Sequence, residues 1–537
     1  MKNKKLLVTL VGASSTLIAI GVIGFAAKKS ARQLEKVQAN QVDLVSRLCG
    51  GTTSGDVRSF VKDDYEFKFQ FHDVTFGADY LSIAPGGYLR NVTALNGLQS
   101  VSFGSASDKL AVSAGKLTSN GIERYHYFGK DYDATRISDT YSFTSRESSH
   151  IVIQNIDDSN PALINEMSLD YSCEGTIDTP TVESLAGAYD NYTWDFLGGG
   201  SQSTPFLIRN TEEWEKFTVT YQKNYTGFYF KLMNDITVTT AQTKNFIGHF
   251  DGNNHTITAN ISGESDGFGL FCGLSGVGSI YNLTVAGSVT STSTNVGGIV
   301  GIMKDARNVV SNCVNKAAIT GKHDFGPGIG GVVGKAQAGT IDGCVNESSS
   351  FTTTGDTTGA CIGGILGSAY YQNADFAVTV SNCKNLGSIT SEKDDIGGII
   401  GFANGSGSTA VLTLVLENCQ NGDDTHSPII TGRNHVGGVI GNAYQKCLQD
   451  LNSCYVKNCK NYGKAVSTAS SGYKTGGIAG TSNIAVLDCD NYGEVTNSDA
   501  SAHPTTLIAN GGLGWIVGNR NTYCNNNSSG NTNHYSV

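Results

Sequence analysis

The chain has 537 residues, of which 39% are hydrophobic and 16% charged, with 67 glycines and only 7 prolines. Its net charge is −10, but the first 47 residues carry eight Lys or Arg and two Asp or Glu, so the remainder stands at −16. An acidic surface repels phosphates, and the sequence contains no basic stripe, Walker loop or dinucleotide fingerprint. We therefore expect no nucleic-acid partner and no nucleotide cofactor.

Residues 1–29 have the pattern of a membrane segment. Leu6–Ala27 contains no charged residue, and about 22 apolar residues are enough to cross a bilayer as a helix. We expect an uncleaved anchor that holds the rest of the chain outside the cell. The alternative is a signal peptide that is cleaved to give a secreted protein, because Gly24-Phe-Ala26 fits a small-x-small cleavage site.

Residues 30–50 predict a helical stalk. Leu34, Val37, Leu44 and Leu48 follow heptad spacing. The pattern covers barely two heptads, which is too short for a coiled coil. We expect this helix to lift the following domain off the membrane.

Residues 51–175 predict an antiparallel β-sandwich. Tyr65–His72 alternates between aromatic and polar residues, as does the end of this region at Met167–Cys173, which is the pattern of half-buried strands. Leu95–Phe103 and Met167–Cys173 also resemble jelly-roll modules of exported bacterial proteins, many of which bind carbohydrate. Tyr125-His-Tyr-Phe128 offers rings that either stack on a sugar or pack as core residues.

Residues 176–203 predict a linker, because Thr-Pro, Gly-Gly-Gly and Ser-Gln-Ser pieces interrupt any regular pattern. Trp194 and Phe196 are expected to dock on a neighbouring element. A short helix over Glu212–Phe217 follows, capped by Asn210 or Thr211. We expect this helix to shield the open end of the next domain.

Two motifs repeat along residues 204–520, at steps of about 33 to 40 residues. The first is a glycine motif, with copies Val296-Gly-Gly-Ile-Val-Gly301, Ile329–Gly334, Ile362–Gly367, Ile396–Gly401, Val436–Gly441 and Thr475–Gly480. The second is a cysteine motif, with copies Ser311-Asn-Cys-Val-Asn315, Asp342–Asn346, Ser381–Asn385, Glu417–Asn421, Lys457–Asn461 and Leu487–Asn491. About three short β-rich segments per repeat, without helical periodicity, predict a right-handed parallel β-helix of about eight coils.

The order of these motifs resembles the GLUG repeat of bacterial surface proteins. The entry segment Phe206–Trp214 and the later Phe246–Gly252 are similar to that family as well. This resemblance implies an adhesin-like β-helix at the bacterial cell surface. It carries over no catalytic residues.

The cysteines predict an internal column rather than a metal site. Cys313, Cys344, Cys383, Cys419, Cys459 and Cys489 share one repeat position, and a buried free cysteine behaves as a small hydrophobe. Cys447 and Cys454 lie in an insertion and are expected to be more exposed, where they could pair. Cys49 and Cys173 could tie the ends of the sandwich together. The polar residues 521–537 are expected to be disordered.

No pattern of acidic residues and histidines in the repeats indicates catalysis. Asp394-Asp395 and Asp423-Asp424 are expected to be solvated turn residues, as are His323, His426 and His435. The clearest break in the repetition is Asn421–His435, where an enzyme would have its site. We name no catalytic, cofactor-binding or metal-binding residue. The prediction is a surface protein that binds an extracellular polysaccharide or a surface protein. The alternatives are a carbohydrate-active lyase or hydrolase and a structural spacer.

Overall fold

The computed structural model describes residues 41–536 except 63–64, 96, 105–109, 119–120, 129–139, 143–148, 156, 158–159, 172–195, 197, 199, 201, 203–204, 221–226, 323–325, 356–358, 406–409, 445–446 and 499–501. The chain divides into a first unit that ends at Asn191 and a second unit that begins at Tyr192. Within the described part no helix is both long and apolar enough to cross a membrane. The predicted anchor, Leu6–Ala27, lies outside the described residues.

The first unit consists of two antiparallel sheets. One sheet has four strands in the order Gln41–Asp43, Met167–Tyr171, Leu98–Phe103 and Thr140–Ser142. The other has the order Thr52–Ser54, Val57–Lys62, Tyr65–Phe76, Leu81–Asn91, His150–Asn155, Leu110–Thr118 and Gly121–Phe128, with Ala162–Ile164 paired to Leu81–Asn91. Inward residues of both sheets, such as Leu169 and Leu89, belong to one hydrophobic core. This is the arrangement of a sandwich, and the likeness to jelly-roll modules stays a prediction.

The predicted stalk is wrong for its described part. Gln41–Asp43 is a strand that pairs with Met167–Tyr171, and the helix is confined to Leu44–Cys49. Leu44 and Leu48 are fully buried in the core of the first unit. These apolar residues, which suggested a heptad seam, instead pack on the sandwich, because a two-turn helix buries more apolar surface there than it would alone.

The second unit is built from parallel sheets in which each strand pairs with its equivalent one coil later. The longest two, sheets 1 and 2, run along its length. Sheet 1 contains Phe206–Ile208, Tyr229–Leu232, His249–Asp251, Ser279–Tyr281, Val309–Ser311, Gly339–Asp342, Phe376–Ser381, Leu412–Glu417, Tyr455–Lys457 and Ala485–Leu487. Sheet 2 contains Ile236–Val238, Thr256–Gly263, Thr284–Ser291, Val314–Asn315, Val345–Asn346, Lys384–Asn385, Gln420–Asn421, Lys460–Asn461, Asp490–Asn491 and Thr532–Asn533, with Ala318–Lys322 and Phe351–Thr354 branching from it.

Three further sheets complete the coils. Sheet 3 contains Gln242–Phe246, Phe271–Leu274, Val300–Met303, Val333–Ala336, Leu366–Tyr371, Ile400–Gly405, Ile440–Ala443, Ala479–Ser482 and Val517–Arg520. Sheet 4 contains Val296–Gly297, Ile329–Gly330, Gly359–Gly363, Asp394–Gly397, Asn434–Gly437, Lys474–Gly476 and Gly512–Gly514. Sheet 5 contains Ile389–Thr390, Ile429–Gly432, Lys464–Ser467 and Val495–Asn497.

The parallel β-helix is therefore confirmed, while two of its details differ from the prediction. Sheet 1 has ten strands, so the solenoid is longer than eight coils. Later coils use up to five short strands rather than three, because the glycine motif is divided between two sheets: Val296–Gly297 belongs to sheet 4 and Val300–Met303 to sheet 3. The hand of the coil stays a prediction.

The last residue of each cysteine motif is an Asn, and these Asn side chains form a buried amide ladder. The Nδ2 group of each donates to Oδ1 of the next at 2.8 to 2.9 Å. The ladder comprises Asn315, Asn346, Asn385, Asn421, Asn461, Asn491 and Asn533. These amides satisfy one another inside the coil, where an unpaired polar group would be costly.

The first Asn of the cysteine motif serves the turn before the ladder. Asn312, Asn382, Asn418 and Asn458 all have φ between +51° and +56°, a left-handed conformation that Asn tolerates better than most residues. The cysteine that follows points inward, and all six column cysteines are buried and unpaired. The interior column is therefore confirmed.

Both ends of the coil are covered. At the start, the helix Thr211–Glu215 is capped by Asn210, whose Oδ1 accepts from the Glu213 N–H at 2.9 Å, and a π-helical turn over Lys216–Thr220 follows. Phe196 is buried nearby against Phe206 and Phe230, which confirms its docking. Trp194 and most of the predicted linker lie outside the described residues.

At the other end, the expectation of a disordered tail is wrong. Thr522–Asn527 is a helix, and Thr532–Asn533 pairs with Asp490–Asn491. Asn533 accepts the last bond of the amide ladder. The tail is polar because it covers the solvent-exposed end of the β-helix. Its richness in Asn suits it to complete the Asn ladder.

The insertion cysteines are also not exposed. Cys447 and Cys454 are 5% and 0% exposed and unpaired, and burial raises the pKa of the Cys454 thiol to about 11. They fill apolar space under the insertion. In the first unit the Cys49 thiol donates to the Tyr80 carbonyl at 3.3 Å. Its suggested partner, Cys173, lies outside the described residues.

Candidate functional site

The position that precedes each glycine motif forms a column along the edge of sheet 4. Its members are Asn295, Gly328, Cys361, Asp395, His435, Lys474 and Gly512. Of these, Asp395 and His435 have φ of +65° and +51°. Gly adopts this left-handed conformation freely, and Asn, Asp and His adopt it more readily than other residues, although at some cost in backbone strain. The column changes from small or neutral residues to ionisable ones over three successive coils.

These three ionisable residues form one chain of contacts. His435 Nδ1 lies 2.8 Å from Asp395 Oδ1, and His435 Nε2 lies 3.2 Å from Lys474 Nζ. Asn442 Nδ2 donates to the same Asp395 oxygen at 2.8 Å. The side chains of Asp395 and His435 are 4% and 17% exposed. The expectation that both are solvated turn residues is therefore wrong, because coil stacking brings residues 40 positions apart together beneath the surface.

Several side-chain oxygens near the Asp395–His435–Lys474 contacts have no hydrogen-bond partner within the described protein. These oxygens are Asn442 Oδ1, Thr475 Oγ1 and Thr481 Oγ1. A fourth oxygen without a partner, Ser368 Oγ, lies two coils before Asn442 in the same sheet. All four residues are at least 97% buried. This part of the coil is therefore less completely hydrogen-bonded than the Asn ladder.

The remaining residues that the sequence singled out range from half-buried, as Asp394 and Asp423 are, to exposed, as His426 is. Asp423 accepts from His426 at 2.9 Å and contacts Lys384 at 3.3 Å. Hydrogen bonds from His426 and Thr425 hold the pKa of Asp423 well below its usual range. Arg433 forms a bidentate pair with Asp394 at 2.8 and 2.6 Å. Asp423 and Asp394 are therefore each neutralised by a cationic partner, and His323 lies outside the described residues.

An aromatic cluster that the sequence patterns did not reveal lies outside the main core. Tyr370 and Phe402 pack with Cys361 and Tyr444, and Lys335 Nζ lies 5.2 Å above the Tyr370 ring. Burial lowers the pKa of Lys335. Phe402 is in register with Ser368 and Asn442, whereas Tyr370 is in register with Asn404. These aromatic residues therefore do not share one repeat position, and the repeat pattern gave no signal for the cluster.

A second aromatic column lies on the outer face of sheet 2. The rings of Tyr462 and Tyr492 stack at 4.8 Å with a 7° interplanar angle, and those of Tyr492 and His534 at 4.3 Å with 6°. Because these rings cover one another's faces, the column presents edges rather than a flat platform. We therefore interpret it as support for the last coils and for the tail.

The first unit carries an aromatic and polar surface that is open to solvent. Gln70 and His72 on one strand stand opposite Arg90 and Tyr88 on the next, while the alternate residues Phe69 and Leu89 point into the core. The His72 and Tyr88 rings stack at 5.6 Å, and the Arg90 guanidinium carbon lies 4.9 Å from the centre of the Tyr88 ring. Arg90 Nε donates to Gln70 Oε1 at 2.9 Å, and Gln70 Nε2 donates to Asp56.

A β-bulge positions this surface. The strand register shifts after His72: between the pairs His72–Tyr88 and Val74–Ile83, the single residue Asp73, with φ of +50°, stands opposite the four residues 84–87, so the extra residues belong to the second strand. Gly87 makes the bulge sterically acceptable, since a Cβ there would lie 2.8 and 2.9 Å from the carbonyl oxygens of His72 and Asp73. The His72 side chain, on the outward face of its strand, is 62% exposed. We call Asp56, Gln70, His72, Asp73, Tyr88 and Arg90 the Tyr88 face.

The Tyr125–Phe128 segment is a strand of the same sheet, and its side chains lie outside what the structure describes. Among the described residues no three His, Cys, Asp or Glu side chains gather closely enough to hold a metal ion. The Tyr88 face was not found from the sequence because its residues come from two strands, where they alternate with core residues, and from the turn before Val57–Lys62.

Comparisons with known proteins give partial likenesses. No family model matches the chain. Halomucin from Haloquadratum walsbyi is 26% identical over 210 residues, which is 38% of this chain and only 2% of that protein. Among solved structures, a Bacteroides ovatus protein described as an immunoglobulin A1 protease has a TM-score of 0.37 and 16% identity, covering 60% of this chain and 86% of that one. The catalytic domain of a GH87 alpha-1,3-glucanase in complex with nigerose has a TM-score of 0.22 and 9% identity, covering 93% and 98%.

Proposed function

We propose that this protein is a cell-surface binding protein that takes saccharide chains on the Tyr88 face, with the β-helix as an extended second binding or display surface. The observation that carries the proposal is the alignment of a stacked His72–Tyr88–Arg90 group with a hydrogen-bonded Arg90–Gln70–Asp56 row on one exposed sheet face. The surface location and the membrane anchor at Leu6–Ala27 belong to the same proposal, as does the relation to GLUG repeats.

The chemistry of the Tyr88 face suits an uncharged polyol. Gln70 offers both a donor and an acceptor, Asp56 and Asp73 offer acceptors, and Arg90 is a donor. One cation among two anions gives no surplus of positive charge for a phosphate or sulfate ligand. Rings flanked by planar polar groups fit a sugar, whose C–H faces pack on aromatics while its hydroxyls donate and accept. The polar side chains already contact one another, so little side-chain entropy is lost when a ligand binds.

The β-helix favours multivalent binding rather than a single pocket. In sheet 2 the outward residues Lys384, Gln420, Lys460 and Asp490 follow one another in register on successive coils. Such columns repeat at about 4.8 Å and suit extended ligands that make many weak contacts.

The test is retention of the purified protein on immobilised polysaccharides: neutral glucan, mannan and xylan beside charged alginate and heparin. We expect retention on at least one neutral polymer and a loss of at least tenfold in Tyr88→Ala and in Arg90→Ala. The matched control is Leu163→Ala, an exposed apolar residue of the same unit (54% exposed). Retention by none of the polymers, or equal retention by Tyr88→Ala and wild type, contradicts the proposal.

The rival function is cleavage of the bound polysaccharide, as in a lyase or a hydrolase. It is favoured by the Asp395–His435 pair, in which a carboxylate orients an imidazole as in general acid–base sites. The same incubations are therefore assayed for released oligosaccharide. Product release that His435→Asn abolishes, or that the triple substitution of Asp423, Asp424 and His426 by alanine abolishes, would make the protein an enzyme.

A further inference from the structure

We propose that the Asp395–His435–Lys474 chain is a proton-binding switch, in which uptake of one proton by His435 expels Lys474 and loosens the contact between two coils. The inference concerns the second unit and does not rest on the proposed saccharide binding.

The donor and acceptor roles follow from the distances. Lys474 has only donors, so His435 Nε2, 3.2 Å away, must be an unprotonated acceptor. The imidazole proton then lies on Nδ1 and is donated to Asp395 Oδ1 at 2.8 Å. Asn442 Nδ2 completes the environment of that oxygen. A neutral imidazole thus links a carboxylate on one coil to an ammonium two coils later.

Protonation of His435 disrupts one contact of this arrangement, the one with Lys474. The new proton on Nε2 faces the ammonium of Lys474, so two donors and two positive charges meet across the 3.2 Å contact. The Asp395 contact is kept and strengthened, since an imidazolium still donates through Nδ1. The repulsion is therefore relieved by movement of Lys474, whose side chain is the longer and more flexible.

The other charged groups around His435 are already paired. Asp394, on the strand before, is held by Arg433 through two bonds. Lys464, on the neighbouring strand of sheet 5, pairs with Glu494 at 2.8 Å. The strands Ile429–Gly432, Ile440–Ala443 and Ala479–Ser482 contribute no charged side chain. Asp395 balances the added charge from the Nδ1 side of the ring, but among the described neighbours none is placed to take the position of Lys474 on the Nε2 side.

The backbone at this point is suited to a switch. Asp395 and His435 both hold left-handed conformations, and the side-chain oxygens of Thr475 and Thr481 are unpaired within the described protein. Strain and incomplete hydrogen bonding lower the cost of local opening. Loss of the Lys474 contact is expected to loosen Asn434–Gly437 from Lys474–Gly476, which share a two-residue ladder at Val436 and Gly437.

Hydrogen exchange of the whole protein at pH 7.5 and pH 5.0 tests the switch, with rates corrected for intrinsic exchange. For wild type we expect peptides that cover Lys474–Gly476 to exchange at least tenfold faster at pH 5.0. His435→Asn should abolish this response, and Asn is the residue that holds the equivalent position with φ of +57° at Asn295. Lys474→Met should abolish it as well, because the imidazolium then meets no second cation.

The matched control is His426→Asn, which removes the exposed Asp423–His426 pair and should respond to acid as wild type does. Equal exchange of the wild-type peptides at the two pH values overturns the proposal, as does an undiminished acid response in Lys474→Met. The Lys474→Met variant keeps the test decisive even if His435→Asn fails to fold.

Discussion

A Cβ atom on Gly331 would lie 2.6 Å from Oδ1 of Asn346. The last Asn of the cysteine motif therefore fills the space that a side chain on the second glycine of the glycine motif would need. The same two positions meet in each later copy, from Gly364 with Asn385 to Gly477 with Asn491. None of these glycines has a positive φ, so glycine is required here by the close approach of the Asn side chain and not by the backbone conformation. The two motifs recur together because one leaves the room that the other fills.

The first prediction is that Gly331→Ala destabilises the second unit by about 3 kcal/mol or more, since the added methyl meets a buried amide and the backbone of Gly364. Thermal unfolding of the second unit measures the change. The control is Gly472→Ala, where φ is +69° but no atom lies within 4 Å, and the cost should be about 1 kcal/mol. Equal costs for the two variants would contradict the steric explanation.

The second prediction concerns the Asn ladder. Asn346→Ala removes the acceptor of Asn315 and the donor to Asn385, so each of two buried amides loses its ladder hydrogen bond, which should cost about 2 to 4 kcal/mol. Asn533→Ala removes only the last rung and should cost about 1 kcal/mol. Urea denaturation compares the two variants. If the terminal substitution costs as much as the central one, the ladder is not a chain of cooperating amides.

The third prediction concerns thiol reactivity. The six column cysteines together with Cys447 and Cys454 should react with iodoacetamide only after denaturation, because they are buried and burial raises the pKa of thiols such as Cys383 and Cys419 well above the usual value. Cys49 is partly exposed and should be labelled faster than these eight. Mass spectrometry of labelled peptides gives the order, and fast labelling of Cys383 in folded protein would show that the column is accessible.

The fourth prediction is that acid destabilises the first unit through His150. Burial lowers the pKa of His150 from 6.5 to about 4, so between these values the unfolded chain binds a proton that the folded one does not. Stability is therefore lost as pH falls below 6.5. Between pH 7.5 and 4.5 the loss is about 2 to 3 kcal/mol from this residue.

The measurement for His150 is urea unfolding at the two pH values, followed by hydrogen exchange in peptides that cover His150–Asn155. His72→Asn, a substitution of an exposed histidine in the same unit, should leave the pH dependence unchanged. A His150→Gln variant with the same acid sensitivity as wild type would assign the effect to other groups.

The sequence by itself determined the parallel β-helix, because each repeat carries its own turn residues and inward apolar residues. Asn312 selects a left-handed turn and Cys313 the interior by local chemistry alone. The same local patterns predicted the strands at Tyr65–Phe76 and Met167–Tyr171. They also predicted a capped helix over Glu212–Phe217, where the structure has an α-helix over Thr211–Glu215 followed by a π-helical turn. The local pattern could not show that the glycine motif is divided between two sheets, since the backbone bend within the motif depends on contacts with the neighbouring coil.

Only the tertiary structure decided which polar residues meet. Asp395, His435 and Lys474 are separated by about 40 residues, and their contact depends on the coil register and on insertions of unequal length. Likewise, Leu44 and Leu48 were apolar enough for either a stalk or a core, and the available sheet surface decided between them. The tail at Thr532–Asn533 became ordered for the same reason: an Asn-rich segment has no structure alone, but the end of an amide ladder supplies the partner that it lacks.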